Sequence, residues 1–164
     1  MNVKDIQIPM RMEELPLDKR GYPITYITQM LANGQPDFSL TSEEKRMTVI
    51  RSRLCAICGQ SLDYWMFFIG GEKSMESRYF ADPAMHEECA RYSIQVCPFL
   101  RGDIQKYREK INRELHEKFV VRDLGMPPVR PVKMGLGRSR GYVMEHTRQG
   151  TLIKADPFKQ IEWF

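Results

Sequence analysis

The sequence predicts one α+β domain with short antiparallel sheets and two to three helices, and three observations support this fold class. A chain of 164 residues, 42% of them hydrophobic, is long enough to bury a sizeable core. Short runs rich in aromatic and β-branched residues are bounded by Gly, Pro and Asn, which is typical of strands. Two other segments repeat apolar residues at helical spacing, which is typical of helices.

The first 54 residues predict a hairpin followed by a helix. Residues 24–30 (ITYITQM) have strand composition, and residues 37–40 can pair with them across the Asn-Gly turn at 33–34. Thr41 and Glu44 then form a capping box, which marks a helix start. The apolar residues at helical spacing that follow it are Met47, Ile50 and Leu54.

The strongest chemical signal lies between residues 55 and 89. Cys55 and Cys58 are separated by two residues, as are His86 and Cys89, and 27 residues lie between the two pairs. Two such pairs joined by a longer insert are typical of a tetrahedral zinc site. The sequence therefore predicts one zinc ion per chain, bound by these four residues. Disulfides or buried core cysteines are the alternative, which the histidine in the second pair disfavours.

The insert between the pairs predicts a β-hairpin. Residues 62–69 (LDYWMFFI) are rich in strand-forming residues, and Gly70-Gly71 offers a turn. Residues 77–80 (SRYF) can return as the partner strand. We expect most aromatic side chains of this hairpin to lie in the core, but they are also candidates for an exposed protein-contact patch: Tyr64, Trp65, Phe67 and Phe68.

A helix is predicted to begin just before the second ligand pair. Asp82 and Pro83 suit an N-cap and a first helical position, and they would place His86 near the first turn. The order of a cysteine-bearing turn, a hairpin and a ligand-bearing helix is similar to the treble-clef class of zinc fingers. This resemblance covers residues 55–97 and implies the fold of that module.

Cys97 competes for a place in the site. It lies eight residues after Cys89, so an unbroken helix would separate the two Cα atoms by about 12 Å. That distance is too long for two side chains to share one ion comfortably, and Pro98 favours an end to the helix. We therefore expect Cys97 to be a buried apolar residue and not a ligand.

The ligand pattern favours structural over catalytic zinc. Zinc deaminases have H-x-E ahead of P-C-x-x-C, whereas here the cysteine pair comes first. Zinc proteases have H-E-x-x-H, and His86-Glu87 has no second histidine at that spacing. Four protein ligands also leave no position for an activated water. The sequence thus predicts a non-enzymatic protein with no catalytic residue and no small-molecule substrate.

Several motifs outside the zinc module resemble one known family. They are the run Leu15 to Pro23 with Asp18-Lys-Arg20-Gly21-Tyr22-Pro23, the two ligand pairs, Cys97-Pro98-Phe99, Asp156-Pro157 and Ile161-Glu-Trp163. Together they resemble an uncharacterised family of small CxxC...HxxC proteins encoded by bacteriophages and bacterial genomes. The resemblance implies a phage or mobile-element setting, and it supplies no catalytic residue.

The C-terminal third predicts a helix, a basic loop and short strands. Residues 103–119 form an amphipathic helix pattern with charged pairs one turn apart. A glycine-rich segment at 133–141 follows, and its spacing fits neither a dinucleotide fold nor a P-loop, so a flexible loop is predicted. Residues 142–147, 151–154 and 160–164 then have the composition of strands. The single domain thus divides into an N-terminal part (1–54), a zinc module (55–100), a helix (101–119) and a C-terminal part (120–164).

The charge distribution suggests two classes of partner. Residues 119–148 contain six basic and two acidic residues, whereas residues 55–100 contain three and six. A nucleic acid could contact the basic segment, with Tyr142 stacked on a base; a host protein could instead dock on the acidic zinc module. The basic candidates for nucleic-acid contacts are Arg130, Lys133, Arg138, Arg140 and Arg148.

The alternative function is a metal-dependent nuclease of the His-metal-finger type with a separate structural zinc. Its candidate residues are His146, with His116 or Glu145 nearby. The paired histidines and spaced Asn of such sites are missing from the sequence, and a general base also needs a partner within hydrogen-bonding distance.

The sequence also predicts where the protein works. It has no run of about 20 apolar residues and no apolar N-terminal run like that of a signal peptide. Thiols used as metal ligands fit a reducing compartment. We therefore expect a cytoplasmic protein, in the host cell if phage encoded, with no membrane partner.

Overall fold

A computed structural model describes residues 5–105, 129–148 and 150–164. Within these ranges the chain forms an α+β fold, as predicted, with three antiparallel sheets. Its helices are α1 (Glu43–Ser52), α2 (Glu72–Ser77), α3 (Glu87–Val96) and α4 (Pro98–Arg101), preceded by a 3-10 turn at Met10–Met12. Its strands are β1 (Thr28–Met30), β2 (Pro36–Thr41), β3 (Met66–Gly71), β4 (Tyr79–Phe80), β5 (Met134–Ser139), β6 (Tyr142–Thr147), β7 (Gly150–Ala155) and β8 (Gln160–Trp163).

The N-terminal hairpin and the helix after it are confirmed, with shifted boundaries. β1 pairs with β2 across the predicted Asn-Gly turn, where Gly34 has a φ of +79°. The cap of α1 is Ser42 and not Thr41, since the Ser42 hydroxyl accepts a hydrogen bond from the Lys45 N–H at 3.4 Å. The helix ends at Arg53, whose left-handed backbone turns the chain toward the first cysteine pair.

The predicted hairpin between the ligand pairs is wrong. β3 pairs with β5, more than 60 residues later, and β4 pairs with β7 in a different sheet. Gly70 and Gly71 form the end of β3 instead of a turn, and α2 follows them directly. Their missing side chains serve close packing: a Cβ on Gly70 would lie 2.8 Å from the Phe80 ring, and one on Gly71 would lie 2.5 Å from Pro131.

The segment predicted as a flexible basic loop is mainly a strand. β5 is the central strand of the sheet β3-β5-β8, and most of its residues are buried. Position 137 requires glycine because the Phe158 ring occupies the space that a side chain would fill, 2.5 Å from an added Cβ. The glycines thus permit close packing of the strand, which their spacing in the sequence did not indicate.

The C-terminal strands are confirmed, although they belong to two sheets. β6 and β7 form a hairpin that joins β4 in the order β4-β7-β6, whereas β8 pairs with β5. The helix predicted over 103–119 falls mostly outside the described residues, and residues 103–105 are not helical.

β3 separates two hydrophobic cores. Phe67 faces one core and Phe68 the other, because consecutive strand residues point to opposite sides of a sheet. The first core surrounds the cysteines and includes Met12, Tyr92 and Leu136; the second contains Phe80, Tyr142 and Ile153. The first of these cores holds the predicted zinc ligands.

Candidate metal centre

The four predicted ligands come together at one buried point. The Sγ atoms of Cys55, Cys58 and Cys89 and one ring nitrogen of His86 all lie within 4.8 Å of one another. Exposure is 0% for Cys55 and Cys89, 1% for His86 and 8% for Cys58. Three sulfurs and one imidazole at these separations could hold one metal ion, and the set fits zinc.

The first cysteine pair is held by a tight turn. The Gly59 N–H donates to the Cys55 carbonyl at 2.8 Å, and the Cys55 N–H donates to the Gln60 carbonyl at 2.8 Å. Gly59 has a φ of +74°, and an added Cβ would lie 2.6 Å from the Tyr26 ring. Only glycine satisfies both conditions, so this residue fixes the shape of the turn.

The second pair lies at the start of α3, later than predicted. His86 is the N-cap residue with extended backbone, and Cys89 lies in the first turn. The prediction that the helix begins at Asp82-Pro83 is wrong because the backbone before His86 pairs with other segments. The Ala84 carbonyl accepts from the Ala56 N–H at 3.1 Å, and Met85 exchanges hydrogen bonds of 2.9 and 3.0 Å with Phe67. The first of these bonds joins the two ligand pairs to each other, and the other two join the second pair to β3.

The imidazole is oriented by a backbone group. His86 Nε2 lies 2.8 Å from the Ser61 carbonyl oxygen, which can only accept, and 3.3 Å from Arg11 Nη1, which can only donate. The shorter contact assigns the proton to Nε2, which donates it to Ser61. Nδ1 is then the ring nitrogen that faces the sulfurs, 3.4 Å from Cys58 Sγ and 4.0 Å from Cys89 Sγ, and it would give its lone pair to a bound metal ion. A hydrogen bond from the far ring nitrogen is the usual support of a metal-binding histidine.

The crowded donors perturb one another strongly. Thiol hydrogen bonds from Cys55 and Cys89 lower the pKa of Cys58, and donation to Cys55 and Cys58, together with burial, raises the pKa of Cys89. Burial opposes the charge on His86, but hydrogen bonds with Cys55 and Cys58 outweigh it and raise its pKa to about 10. Shared protons therefore stabilise the negative charge of the cysteine sulfurs in the absence of a metal. A bound cation would stabilise the same charge at the same place.

Arg11 covers the site from the N-terminal turn. Its Nε donates to Glu88 at 2.6 Å and its Nη2 donates to Asp63 at 2.8 Å, while Nη1 lies 3.3 Å from the His86 ring. Burial lowers the pKa of Arg11, but the Glu88 hydrogen bond and the charges of Asp63, Glu88 and Cys58 outweigh burial and raise the pKa overall. Three thiolates and one dication carry a net charge of −1, which this guanidinium offsets.

Sequence reasoning missed both Arg11 and Ser61. Neither residue belongs to a ligand motif, and Arg11 lies 44 positions before the first cysteine. Met12, beside Arg11, packs into the core around the cysteines and so places the N-terminal turn over the site, but the sequence does not show this contact. Cys97, by contrast, lies outside the cluster at the end of α3, as predicted, although it is half-buried and not buried as expected.

The five basic candidates do not form one loop. Arg130 donates to the backbone carbonyls of Phe99 and Leu100 at 2.8 and 2.9 Å, so it serves the packing of α4. Lys133 and Arg148 are exposed next to β5 and β6, and Arg138 and Arg140 stack on aromatic rings. The suggested role of Tyr142 in base stacking is wrong, since the ring is 5% exposed and its hydroxyl donates to the Ile50 carbonyl.

The nuclease candidates also lie apart from the metal cluster. His146 Nδ1 lies 2.9 Å from the Thr151 hydroxyl, and Glu145 accepts from the Tyr79 hydroxyl at 2.7 Å. His116 lies outside the described residues. In the part of the chain that the structure describes, the Cys3His cluster is the only group of metal-binding side chains.

Fold and site together define a small α+β protein whose described residues contain one buried Cys3His cluster that could hold a metal ion. No family model, curated protein or solved structure matches the chain. None of the helices in the described ranges is long and apolar enough to cross a membrane.

Proposed function

We propose that this protein binds one structural zinc ion through Cys55, Cys58, His86 and Cys89 and acts by binding a partner, not by catalysis. The observation that supports this best is the closure of the site. All four donor side chains are buried, and Arg11, Glu88 and Asp63 form a charged cover beside the imidazole. Four protein ligands fill a tetrahedral zinc ion and leave no position for a substrate or an activated water.

The donor set favours zinc over other common divalent ions. Thiolate ligands are soft, and a tetrahedral set of three sulfurs and one nitrogen suits zinc far better than magnesium, calcium or manganese, which prefer oxygen. The reducing environment that keeps such thiols available fits the predicted cytoplasmic location.

The ion would connect three segments of the chain: the cysteine turn, the start of α3 and the loop that leads into β3. It joins the cysteine turn to the start of α3, and the His86 hydrogen bond to Ser61 adds the loop that leads into β3. Its binding free energy is therefore also folding free energy. The partner we propose is a host protein or a nucleic acid, in the phage or mobile-element setting that the sequence resemblance implies.

Metal content tests this proposal directly. Protein purified without chelators should contain one zinc per chain by elemental analysis, and Cys58→Ser should lose most of it because one of four ligands is removed. Cys97→Ser is the matched control, since Cys97 lies outside the cluster, and it should keep the metal. Zinc-free wild-type protein, or equal metal loss in both variants, would contradict the assignment.

A further inference from the structure

Two arginines on the surface each stack on an aromatic ring, and the two rings contact each other. The Arg138 guanidinium carbon lies 4.6 Å above the Trp65 ring, and that of Arg140 lies 5.1 Å above the Tyr64 ring. The two rings meet edge to face with centroids 5.0 Å apart. We call these four residues, together with Arg53, the stacked-arginine surface.

Arg53 extends this surface across the neighbouring turn. Its guanidinium stacks on Tyr142 at 4.7 Å and donates to the Tyr142 carbonyl at 3.2 Å. An added Cβ on Gly141, the residue after Arg140, would lie 3.8 Å from Arg53 Nη1. Three guanidinium groups are therefore held along one part of the surface.

None of these three cations forms an ion pair with a carboxylate among the described residues. The ion pairs found there involve other basic residues, and the nearby Asp63 is already paired with Arg11. Asp156 lies against Gly141 but forms no ion pair with any of the three. Arg138 also has a buried Nε with no hydrogen-bond partner, which costs folding free energy. An unpaired set of this kind complements a polyanion.

The aromatic residues indicate which polyanion fits. Stacking on a ring holds a guanidinium plane while its outer N–H groups remain available for phosphate oxygens. Tyr64 is 62% exposed although Arg140 covers part of its ring, so an unpaired base could stack beside it. A duplex keeps its bases stacked inside, and an acidic peptide supplies no base for the ring. Both therefore fit the surface less well than a single strand.

We propose that the stacked-arginine surface binds single-stranded nucleic acid, with phosphates on Arg138 and Arg140 and a base against Tyr64. The inference rests on the proposed binding function and names its partner. It also links partner and metal. The loop from Ser61 to Trp65 begins at the carbonyl that His86 holds, so the metal centre fixes the position of both aromatic residues.

Fluorescence anisotropy with labelled 12-nucleotide single strands of DNA and RNA tests this on the zinc-loaded full chain. Arg138→Gln combined with Arg140→Gln should weaken binding at least about tenfold and lower the salt slope by roughly two. Tyr64→Ala should weaken binding roughly fivefold to a hundredfold, the usual effect of losing one stacked base. Circular dichroism melts should show that each variant is folded.

Arg20→Gln is the matched control. Arg20 also stacks on a tyrosine, Tyr22 at 4.8 Å, but it is paired with Asp18. Arg20→Gln removes one positive charge, as each substitution of the double variant does, and it should leave binding within about twofold, because exposed charges distant from the contact are largely screened by salt.

The inference would be overturned by no binding at low salt, by equal losses in Arg20→Gln and the double variant, or by binding of a duplex as tight as that of the single strand. Competition by polyglutamate at equal charge would overturn it in favour of an acidic protein partner. These outcomes are separate from the metal proposal. Zinc-containing protein that binds no strand contradicts the strand-binding inference alone. Zinc-free protein that still binds a strand contradicts the metal assignment and the link between metal and partner, and it leaves the strand-binding surface in place.

Discussion

At the residue scale, one side chain outside the Cys3His cluster lies directly over the proposed metal site. Arg11 connects the N-terminal turn to Asp63, Glu88 and the edge of His86. Its charge lies beside a site that would be anionic when filled, and its two carboxylate partners keep it in place. It therefore has the position of an outer residue that orients the ligands and balances their charge.

Replacing Arg11 should weaken the metal site without removing a ligand. Arg11→Met keeps much of the side-chain volume and loses the charge, so we expect zinc affinity to fall by about tenfold to a hundredfold. Competition with a chromophoric chelator measures this. Arg101→Met, which breaks only an ion pair with the nearby Asp103, should keep wild-type affinity. Equal affinities for all three proteins would show that Arg11 does not support the site.

A second residue, Asp18, should make stability depend on pH. Its side chain is 5% exposed, and burial raises its pKa, but hydrogen bonds from the Tyr22 N–H and from Arg20 outweigh burial and lower it overall. A lowered folded pKa means that the stabilisation is complete above the unfolded value of about 3.9 and is lost as pH falls through the folded value.

Asp18→Asn tests this dependence. The amide accepts weaker hydrogen bonds than the carboxylate, so the free energy of unfolding at pH 7 should fall by about 1 to 3 kcal/mol. Denaturant titrations at pH 7 and below pH 4 should show the gap between the two proteins narrowing in acid. A gap that stays constant over this range would contradict the role given to the carboxylate.

At the scale of elements, β5 shows the limit of reading glycines from sequence. Its segment has charged residues and glycines in alternation, which is typical of a loop, yet it lies between β3 and β8. The Phe158 ring fills the space beside Gly137, and Met75 lies 2.9 Å from the Cβ position of Gly135. These partners come from distant parts of the chain, so no local pattern could indicate them.

Gly137→Ala should therefore be costly. The new methyl group would meet three Phe158 ring atoms at 2.5 to 2.9 Å, and we expect a loss of about 1 to 3 kcal/mol in unfolding free energy. Gly141→Ala is the comparison, because its Cβ would meet a carboxylate oxygen of Asp156 that can move aside. Thermal melts of the two variants should differ clearly, and equal stabilities would show that β5 is not packed as described.

The same contrast explains which parts of the site were predictable. The four ligands could be identified because each pair is local and its spacing has a geometric meaning. The helix start and the hairpin could not be placed, because Met85 and β3 pair with segments outside their own neighbourhood. Arg11 and the Ser61 carbonyl have no sequence signal, since their roles exist only after the chain has folded.

At the scale of the molecule, the metal centre and the second core share a strand. Phe67 packs toward the cysteines while Phe68, 1% exposed, packs against Phe80 and Tyr142. Loss of the ion should disrupt the packing of the first core. Because β3 contributes side chains to both cores, the second core should lose packing contacts at the same time.

Chelation should therefore destabilise the two cores together. We expect a strong zinc chelator to lower the melting temperature by more than about 10 °C, with a single transition by far-ultraviolet and near-ultraviolet circular dichroism. Restoring zinc should restore the original curve. Two separate transitions after chelation would show that the second core folds independently of the metal centre.

The position of β3 also determines where the chain can change in length. Strand side chains alternate with a period of two, so an inserted residue near the start of Met66–Gly71 would reverse the side chains that follow it. Phe67 would then face the core that now holds Phe68, and Phe68 would face the core around the cysteines. The turn at residues 32–35 is fully exposed and could lengthen without such a reversal. Natural insertions and engineered tags should accordingly be tolerated at that turn and rejected in the strand.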